Sequence, residues 1–367
     1  MLCKFCITCI NGFLTYDFIE SLKNQKDFKP YIIGVDVLDR TKGKILCDKF
    51  YKISNPKKNE KKYIADILRI HKKEKFNVIL PLSDIENYLL LKNKNLFREK
   101  RINFKLPFND FEVAKLFYDK KKFLKFCDEN NFPTGGYKIV DRFDKVNGIL
   151  KKNKSKKYIL KPIKGSGTKN VFLVNEKIRK SIKILESREC VEVNSKILKK
   201  KNIFKENEKY ILMPYLNGNI YDVDCIAVNG KIREFCIRLR EIKNRFMFYS
   251  TGHRIIKDSK IKKLISKFVS KLKLNGICDF DIIKNKNKVY LLEASCRFSG
   301  SVGACTKSGI NFPAQVIRYM MNLKKIRYKI QYNNSFRSFL VFKKIKNTKK
   351  NILLDDYIPH YSKQLRY

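Results

Sequence analysis

The sequence predicts an α/β and α+β protein, with a parallel α/β domain at the N-terminus and a second half rich in β-hairpins. The first part of this prediction rests on short apolar strands that alternate with helical segments up to about residue 105. The second part rests on two hairpin turns, Asn229-Gly230 and residues 285–287. With 367 residues, the chain is long enough for two or three domains.

The first domain begins with an apolar strand and a loop, residues 8–13, that contains a single glycine, Gly12. A dinucleotide-binding fingerprint needs three glycines, so this loop is a poor phosphate-binding turn. We therefore expect the domain to be structural or to help bind a substrate. Its predicted strands are 3–10, 31–35 and 77–80, and its predicted helices lie near 16–23 and 63–71.

The middle of the chain predicts one helix over 111–130, because apolar residues recur there at helical spacing. A strand at 158–161, a glycine-containing loop and a strand at 170–174 follow. Ile178, Ile182 and Leu185 then predict a further helix. Downstream, strands are expected at 210–214, 222–228, 231–239, 277–283 and 288–294, with an amphipathic helix over 261–272.

The composition excludes some functional classes. An apolar content of 44% with 27 Phe and 19 Tyr excludes a disordered chain, and no apolar run approaches the ~18 residues of a membrane span. The first ten residues lack a basic lead-in and a cleavage site, so a cytoplasmic protein without membrane association is expected. The net charge of +47 is spread along the whole chain, which favours a coding bias or a solvated basic surface over a nucleic-acid partner.

The eleven cysteines predict reduced thiols, because no secretory leader accompanies them. Cys3, Cys6 and Cys9 have the spacing of a metal or iron–sulfur site. No fourth ligand or second pair accompanies them, so a buried strand is the favoured interpretation.

A glycine-containing loop is the first candidate for phosphate binding. It consists of Lys164, Gly165, Ser166, Gly167 and Thr168, in which two glycines let backbone N–H groups approach an anion and two hydroxyls add donors. Lys161 ends the preceding strand, where its long cation could reach a phosphate. A plain turn and a solvated lysine are the alternatives.

An acidic group is the second candidate. Asp279 and Asp281 alternate along one strand and therefore point to the same face. A turn of three or five residues would place Asp279 opposite Glu293, in a pair suited to Mg²⁺ and substrate phosphates. A turn of four residues would separate the two carboxylates and leave them on the surface. Arg297 could clamp a phosphoryl group or a substrate carboxylate, or form an ion pair with a nearby acid.

The order of these features resembles the ATP-grasp superfamily, especially enzymes like the large chain of carbamoyl-phosphate synthase, over roughly residues 1–320. The resemblance rests on Asp119-Lys120, the 158–168 segment, Met213 to Gly218 with Tyr221 to Asp224, and Asp279 with the segment Leu292 to Arg297. It implies a pre-ATP-grasp domain at 1–108 and a two-lobed ATP-grasp domain at 109–325. The small lobe would cover about 138–215 and the large lobe about 216–325, followed by a basic C-terminal extension at 326–367.

The resemblance also implies roles for individual residues. Lys120 and Lys161 would hold the ATP phosphates, while Lys164, Gly165, Ser166, Gly167 and Thr168 would close over the triphosphate. Met213, Pro214 and Tyr215 would meet the adenine. Asp279 and Glu293 would bind Mg²⁺, or Mn²⁺ in its place, and Arg297 would steady the phosphorylated intermediate together with Lys161 as a catalytic residue.

Two positions depart from the family pattern. Ser295 stands where a metal-binding Asn is usual, so it would be a weaker metal ligand. The acid that usually holds the ribose should lie near Ile220, where none is found, and Asp222 or Asp224 could replace it or lie on the hairpin surface. His253 is expected on a surface loop, and the candidates for binding an anionic substrate are Arg238, Arg240, Arg245 and Arg254.

The function implied by the resemblance is an ADP-forming ligase. It would activate a small carboxylate as an acyl phosphate for attack by an amine or similar nucleophile, which forms a C–N bond. The alternatives are a nucleotide-binding relative that has lost catalysis and, less favoured, a basic nucleic-acid-binding protein. The identity of both substrates is open, as is the oligomeric state, with a homo-oligomer among the outcomes.

Overall fold

A computed structural model describes residues 1–12, 15–23, 25–39, 41–101, 104–108, 110–153, 156–164, 170–185, 190–204, 208–241, 252–286 and 288–337. The N-terminal part is a parallel sheet, as predicted, but with four strands in place of the three predicted ones, in the order β3-β2-β1-β4. Its strands are β1 (Leu2–Ile7), β2 (Lys29–Asp36), β3 (Lys49–Lys52) and β4 (Val78–Leu80). Its helices are α1 (Thr15–Lys23), α2 (Thr41–Leu46), α3 (Glu60–Glu74), α4 (Asp84–Lys92) and α5 (Lys94–Glu99).

The strand order reverses direction between β1 and β4, which creates a crevice at the carboxyl ends of these two strands. The loop after β1 and the start of α4 border this crevice. Cys3 and Cys6 are buried within β1, as the strand interpretation of the cysteine run requires, while Cys9 lies in the loop. In the described part of the chain, no helix is long and apolar enough to cross a bilayer.

The single helix predicted over 111–130 is wrong, because two helices occupy this stretch. They are α6 (Phe111–Tyr118) and α7 (Lys120–Glu129). Asp119 between them has extended backbone angles, and its carboxylate accepts hydrogen bonds from the amides of Lys121 and Lys122. This N-cap satisfies amides that a new helix leaves unpaired, so it begins α7 at Lys120.

The upstream sheet has six strands, in the order β5-β10-β6-β7-β9-β8. They are β5 (Lys138–Val140), β6 (Tyr158–Pro162), β7 (Phe172–Val174), β8 (Ile182–Leu185), β9 (Cys190–Val193) and β10 (Tyr210–Pro214), with helices α8 (Phe143–Lys152) and α9 (Ser195–Lys200). The helix predicted from Ile178, Ile182 and Leu185 is wrong, since the last two residues belong to β8. Pairing of β8 with β9 overrides the apparent helical spacing.

The downstream sheet is antiparallel and also has six strands, in the order β15-β14-β11-β12-β13-β16. They are β11 (Asn219–Val228), β12 (Lys231–Arg240), β13 (His253–Ile256), β14 (Gly276–Asn285), β15 (Lys288–Ser295) and β16 (Ser335–Phe336), with helices α10 (Ser259–Lys271), α11 (Val302–Lys307) and α12 (Phe312–Met321). The predicted hairpin at Asn229-Gly230 is confirmed, with φ of 49° and 71°, as a turn with two left-handed residues requires.

A short connector, residues 104–108, joins the N-terminal sheet to the downstream sheet. Lys105 exchanges backbone hydrogen bonds with Asn77 and Ile79 beside β4, while Pro107 accepts one from Ile277 at the start of β14. Gly276 has a φ of 112°, and a Cβ there would lie 2.1 Å from the Pro107 carbonyl oxygen. A glycine is therefore required where the connector crosses β14. The limits of the domains themselves stay a prediction.

Candidate active site

A cleft of about 460 Å³ is lined by the upstream sheet, the downstream sheet and the crevice between β1 and β4. The upstream sheet contributes Lys161 from β6, and the downstream sheet contributes the carboxylates of β14 and β15. The N-terminal part contributes the loop after β1 and the start of α4. Charged side chains from three separate parts of the chain therefore meet in one cavity. They are Asp84, Lys161, Asp222, Arg240, Asp279, Asp281, Glu293 and Arg297.

A β-bulge decides which carboxylates face one another. The hairpin between β14 and β15 closes with Asn285 opposite Lys288, and this register would point Glu293 away from Asp281. The register shifts by one residue at Leu292, so that Asp281 pairs with Glu293 and Asp279 with Ser295. The predicted pair of Asp279 opposite Glu293 is therefore wrong by two residues, although all four side chains share one face.

Asp281 and Glu293 form a crowded carboxylate pair. Burial raises the pKa of Asp281 to about 7, and repulsion from Asp222 and Glu293 acts in the same direction against the lowering effect of Arg240. Burial also acts to raise the pKa of Glu293, but Lys120 and Lys161 hold it below its ordinary value. The pair thus presents at least one anion to the cleft, and a further cation would stabilise both.

Two lysines reach Glu293 from different elements. Lys120, the first residue of α7, is buried and its Nζ lies 3.2 Å from Glu293 Oε1. Lys161 is on β6, and burial together with the charge of Lys120 lowers its pKa against the raising effects of Glu293 and Asp281. The structure therefore brings both predicted phosphate-binding lysines close to β15, the strand of Glu293. Desolvation makes each of them receptive to a further anion.

Arg297 lies between two carboxylates from different parts of the molecule. Its Nη1 donates to Asp279 Oδ2 at 2.9 Å and to the carbonyl of Phe298 at 2.9 Å, and its Nε lies 3.5 Å from Asp84 Oδ2 on α4. These acids raise the pKa of Arg297 despite its burial. The predicted ion pair with a nearby acid is present, and one of its two partners comes from the N-terminal domain.

Two further arginines lie on β12 and pair with acidic residues of the neighbouring strand β11. Arg238 is fully buried and pairs with Asp224, with the Ser301 hydroxyl as a second partner. Arg240 donates to both oxygens of Asp222 from Nε, at 2.9 and 3.0 Å, and reaches Asp281 at 3.0 Å.

Asp222 and Asp224 are thus buried ion-pair partners, and the alternative that they lie on the hairpin surface is wrong. Of the other candidates for an anionic substrate, Arg254 pairs with Glu241, and Arg245 lies outside the described residues.

His253 lies in a strand and is buried, which differs from the prediction. It begins β13, opposite Arg240, and is buried, whereas a surface loop was expected. Its Nδ1 lies 3.6 Å from Asp222 Oδ2. Burial lowers the pKa of His253 to about 4, against the attraction of Asp222, so the imidazole is neutral at pH 7.

The residues predicted to meet the adenine lie at the other side of the cleft. Met213 and Pro214 end β10, and Tyr215 follows, with all three lining the cavity beside Ile159 and Val171. Lys164 is exposed on the described side of the glycine loop. Gly165, Ser166, Gly167 and Thr168 lie outside the described residues, so their part in the site stays a prediction.

Two acidic residues of the cleft had no assigned role in the sequence analysis. Asp281 was recognised as sharing a face with Asp279, but only the bulge at Leu292 makes it the partner of Glu293. Asp84 lies four residues after the end of β4 and begins α4, near the carboxyl end of a parallel strand, and this position is a signal that the sequence offers. Asp281 belongs to the site because it lies opposite Glu293, and Asp84 because it pairs with Arg297.

Comparison with known families and structures agrees with this arrangement. A family described as "ATP-grasp in the biosynthetic pathway with Ter operon" matches residues 206–341. This range includes the cleft carboxylates of the downstream sheet, which are Asp222, Asp279, Asp281 and Glu293. A search of curated protein sequences finds no significant match.

Solved structures match most of the chain at low sequence identity. L-amino acid ligase from Bacillus licheniformis matches with a TM-score of 0.64 and 14% identity, over 88% of this chain and 75% of that chain. N5-carboxyaminoimidazole synthetase from Staphylococcus aureus complexed with ADP gives 0.65 and 13%, over 90% and 80%. The biotin carboxylase domain of 2-oxoglutarate carboxylase from Hydrogenobacter thermophilus, in complex with MgADP and bicarbonate, gives 0.63 and 14%, over 90% and 73%. The chain therefore has the ATP-grasp fold.

Proposed function

We propose that this protein is an ATP-dependent ligase that activates a carboxylate as an acyl phosphate for attack by an amine or similar nucleophile. One observation carries the proposal. Four charged side chains from β6, β14, β15 and the loop after β15 line one cleft between the upstream and downstream sheets: Lys161, Asp281, Glu293 and Arg297. Lys120 of α7 adds a fifth charge, because it pairs with Glu293. Phosphoryl transfer depends mainly on charge neutralisation and positioning, which is the chemistry that such a set of side chains supplies.

The nucleotide is proposed to lie between the sheets. Its adenine would contact the apolar wall formed by Met213, Ile159 and Val171, and its phosphates would extend toward Lys161 and Lys120. Two of the similar structures described above are complexes with ADP, which supports this assignment for the shared fold. ATP is the proposed nucleotide, because both of these similar structures contain ADP.

Magnesium, or Mn²⁺ in its place, is proposed to bind at Asp281 and Glu293. Within the described residues, no three His, Cys, Asp or Glu side chains are grouped as a metal site, but Mg²⁺ carried with ATP needs only one or two carboxylates. The residues present fit this requirement: Asp281 and Glu293 are opposite one another, and Asp279 Oδ1 beside them is buried without a hydrogen-bond partner. When bound, the metal supplies neutralising charge to the phosphates.

The roles of this chain's own residues follow from their positions. Lys161 and Lys120 would hold the phosphates, and Glu293 keeps both lysines facing the cleft. The substrate carboxylate oxygen would attack the γ-phosphorus and release ADP. Arg297 would bind the acyl phosphate, until the amine nitrogen attacks the carbonyl carbon, loses a proton and displaces phosphate.

The substrates are proposed to enter at the crevice between β1 and β4. Here the cleft is lined by small polar residues, including Ser83 and Ser299, and by Cys9 and Gly12. The Bacillus licheniformis neighbour is named as an L-amino acid ligase, which fits a small amine or amino acid at this end of the cleft. The crevice thus favours a small, polar pair of substrates over a polymer.

A second candidate function is nucleotide binding without turnover. Ser295 occupies the position beside the metal pair where the family usually has Asn, and it is buried directly opposite Asp279. A hydroxyl is a weaker ligand than an amide oxygen for the same ion. Stabilisation by Mg-ATP without ADP release, over a broad panel of acids and amines, would favour this second function.

Thermal unfolding tests the nucleotide site first. With Mg-ATP at 100 times its dissociation constant, the wild type should gain about 2.7 kcal/mol of stability. Lys161→Ala should lose most of this gain, while Lys138→Ala, which removes an exposed lysine of the same sheet outside the cleft, should keep it. Equal gains in both variants would contradict the assignment of Lys161.

ADP release then tests catalysis on the same proteins. Glu293→Gln should abolish release without unfolding the chain, because it removes both the proposed metal ligand and the anion that holds Lys120. Glu112→Gln is the matched control, since Glu112 is exposed and pairs with Lys115 at 3.3 Å on its own helix. Undiminished release by Glu293→Gln would overturn the proposed reaction.

A further inference from the structure

The N-terminal domain contacts three successive residues directly after the metal-binding strand. On α4, Asn87 Nδ2 donates to the Cys296 carbonyl at 3.0 Å, and Asp84 pairs with Arg297 at 3.5 Å. On α1, Phe18 packs against Phe298 edge to face, with ring centroids 4.9 Å apart. The segment 296–298 therefore takes its position from the N-terminal domain as well as from β15.

Asp84 is the part of this contact that acts on the guanidinium itself. Arg297 has a second carboxylate partner, Asp279 Oδ2 at 2.9 Å, on the opposite side in the downstream sheet. Both acids are mostly buried, and the Arg297 side chain is 23% exposed. Without the Asp84 carboxylate, Asp279 would be the remaining one of these two partners, and we expect the guanidinium to turn toward Asp279.

Helix α4 is in turn tied to the loop after β1. The buried carboxylate of Glu86 accepts hydrogen bonds from Thr8 at 2.7 Å, from Ser83 at 2.6 Å and from the Cys9 thiol at 3.0 Å. Cys9 has a left-handed φ of 51°, so its loop adopts a conformation that needs such support. One helix thus connects the crevice where substrates are proposed to enter with Arg297.

We propose that Asp84 is a positioning residue, which aims Arg297 at the transferring phosphoryl group and makes that transfer depend on the placement of α4. This inference rests on the proposed function, because it assumes that phosphoryl transfer occurs in the cleft. It adds a role for the N-terminal domain beyond lining the crevice. Asp84 would act through Arg297, the residue with which it pairs.

A double-mutant cycle on ADP release tests the inference, with Mg-ATP and a mixture of amino acids and small carboxylates as the probe. Asp84→Asn should slow ADP release about 10- to 100-fold, as is typical when a supporting partner is lost, while the dissociation constant of Mg-ATP stays within about twofold. Asp84→Glu should restore part of the rate. Because Asp84 acts through Arg297, adding Asp84→Asn to Arg297→Ala should cause no further loss.

The control variant is Glu60→Gln, which breaks the pair that Glu60 makes with Lys92 at the far end of α4 and should leave the rate unchanged. Additive losses in the double variant would overturn the inference, since Asp84 would then act independently of Arg297. An Asp84→Asn protein as fast as the wild type would overturn it as well, with the proposed function intact. Absence of ADP release from the wild type would instead overturn both.

Discussion

His253 is buried as a neutral imidazole, at a place where a positive charge would be costly. Three arginines, Arg238, Arg240 and Arg337, lower its pKa further, and Asp222 offsets only part of the effect of burial. The folded-state pKa is about 4, against an ordinary value of 6.5. As the pH falls below 6.5, the unfolded chain therefore binds this proton before the folded chain does.

The free energy of unfolding should consequently fall as the pH drops from 6.5 to 4, by on the order of 3 kcal/mol from this group. His253→Gln should lack that part of the loss, because glutamine does not titrate. Urea unfolding of both proteins across this range measures the difference, in which contributions from the carboxylates cancel. Parallel curves for the two proteins would contradict the burial of a neutral His253.

At the residue scale, motif order was a good guide to which side chains matter and a poor guide to their partners. Lys161, Glu293 and Arg297 are predicted from the sequence and line one cleft in the structure, and the predicted Lys120 pairs with Glu293. The ion pairs of Arg238 and Arg240 join residues 14 and 18 positions apart, across two strands. Such pairs depend on strand register, which a single sequence does not define when both faces carry charge.

The element that most affects the site is the bulge at Leu292. The hairpin has two residues between its closing pair, in place of the three, four or five in the prediction, and by itself this length would point Glu293 to the opposite face. One inserted residue in β15 restores the common face. Bulges leave no reliable trace in local sequence, so the residue opposite Glu293 could not be predicted, although the common face of Asp279 and Asp281 could.

The break between α6 and α7 left a clearer trace, because Asp is a favoured N-cap residue and Asp119 directly precedes a run of lysines. Asp119→Ala should destabilise the protein by about 1 kcal/mol through loss of the cap. It should also weaken Mg-ATP binding several-fold, since Lys120 at the first position of α7 would lose its fixed direction toward Glu293.

Asp110→Ala is the matched control. Asp110 caps α6 through the Val113 amide at 3.1 Å, but its helix begins with Phe111 and places no lysine in the cleft at its first turn. Denaturation should show similar losses of stability in the two variants, and calorimetric titration with Mg-ATP should separate them. Equal nucleotide affinity in both would show that the cap does not position Lys120.

On the scale of the whole molecule, the parallel sheet and the antiparallel second half were predictable from alternation and turn signals, but the contacts that join them were not. These contacts involve residues far apart in the chain, such as Phe18 with Phe298 and Ser21 with Thr306. Arg318 of α12 is the clearest example: it is fully buried and binds both oxygens of Asp27 at 2.8 Å, with Gln25 and Tyr328 as further partners.

Removing one partner of this ion pair should lower the free energy of unfolding more when the remaining charge is the buried one. Asp27→Ala leaves the Arg318 guanidinium buried without its carboxylate and should cost about 3 kcal/mol or more. Arg318→Met leaves Asp27, which is 33% exposed and can be hydrated, and the Met side chain keeps the contact with Phe28, so the loss should be smaller. Because the chain has no tryptophan, circular dichroism in urea is the appropriate measurement. A larger loss for Arg318→Met would mean that packing of α12, and not the charge on Arg318, holds the N-terminal domain against the downstream sheet.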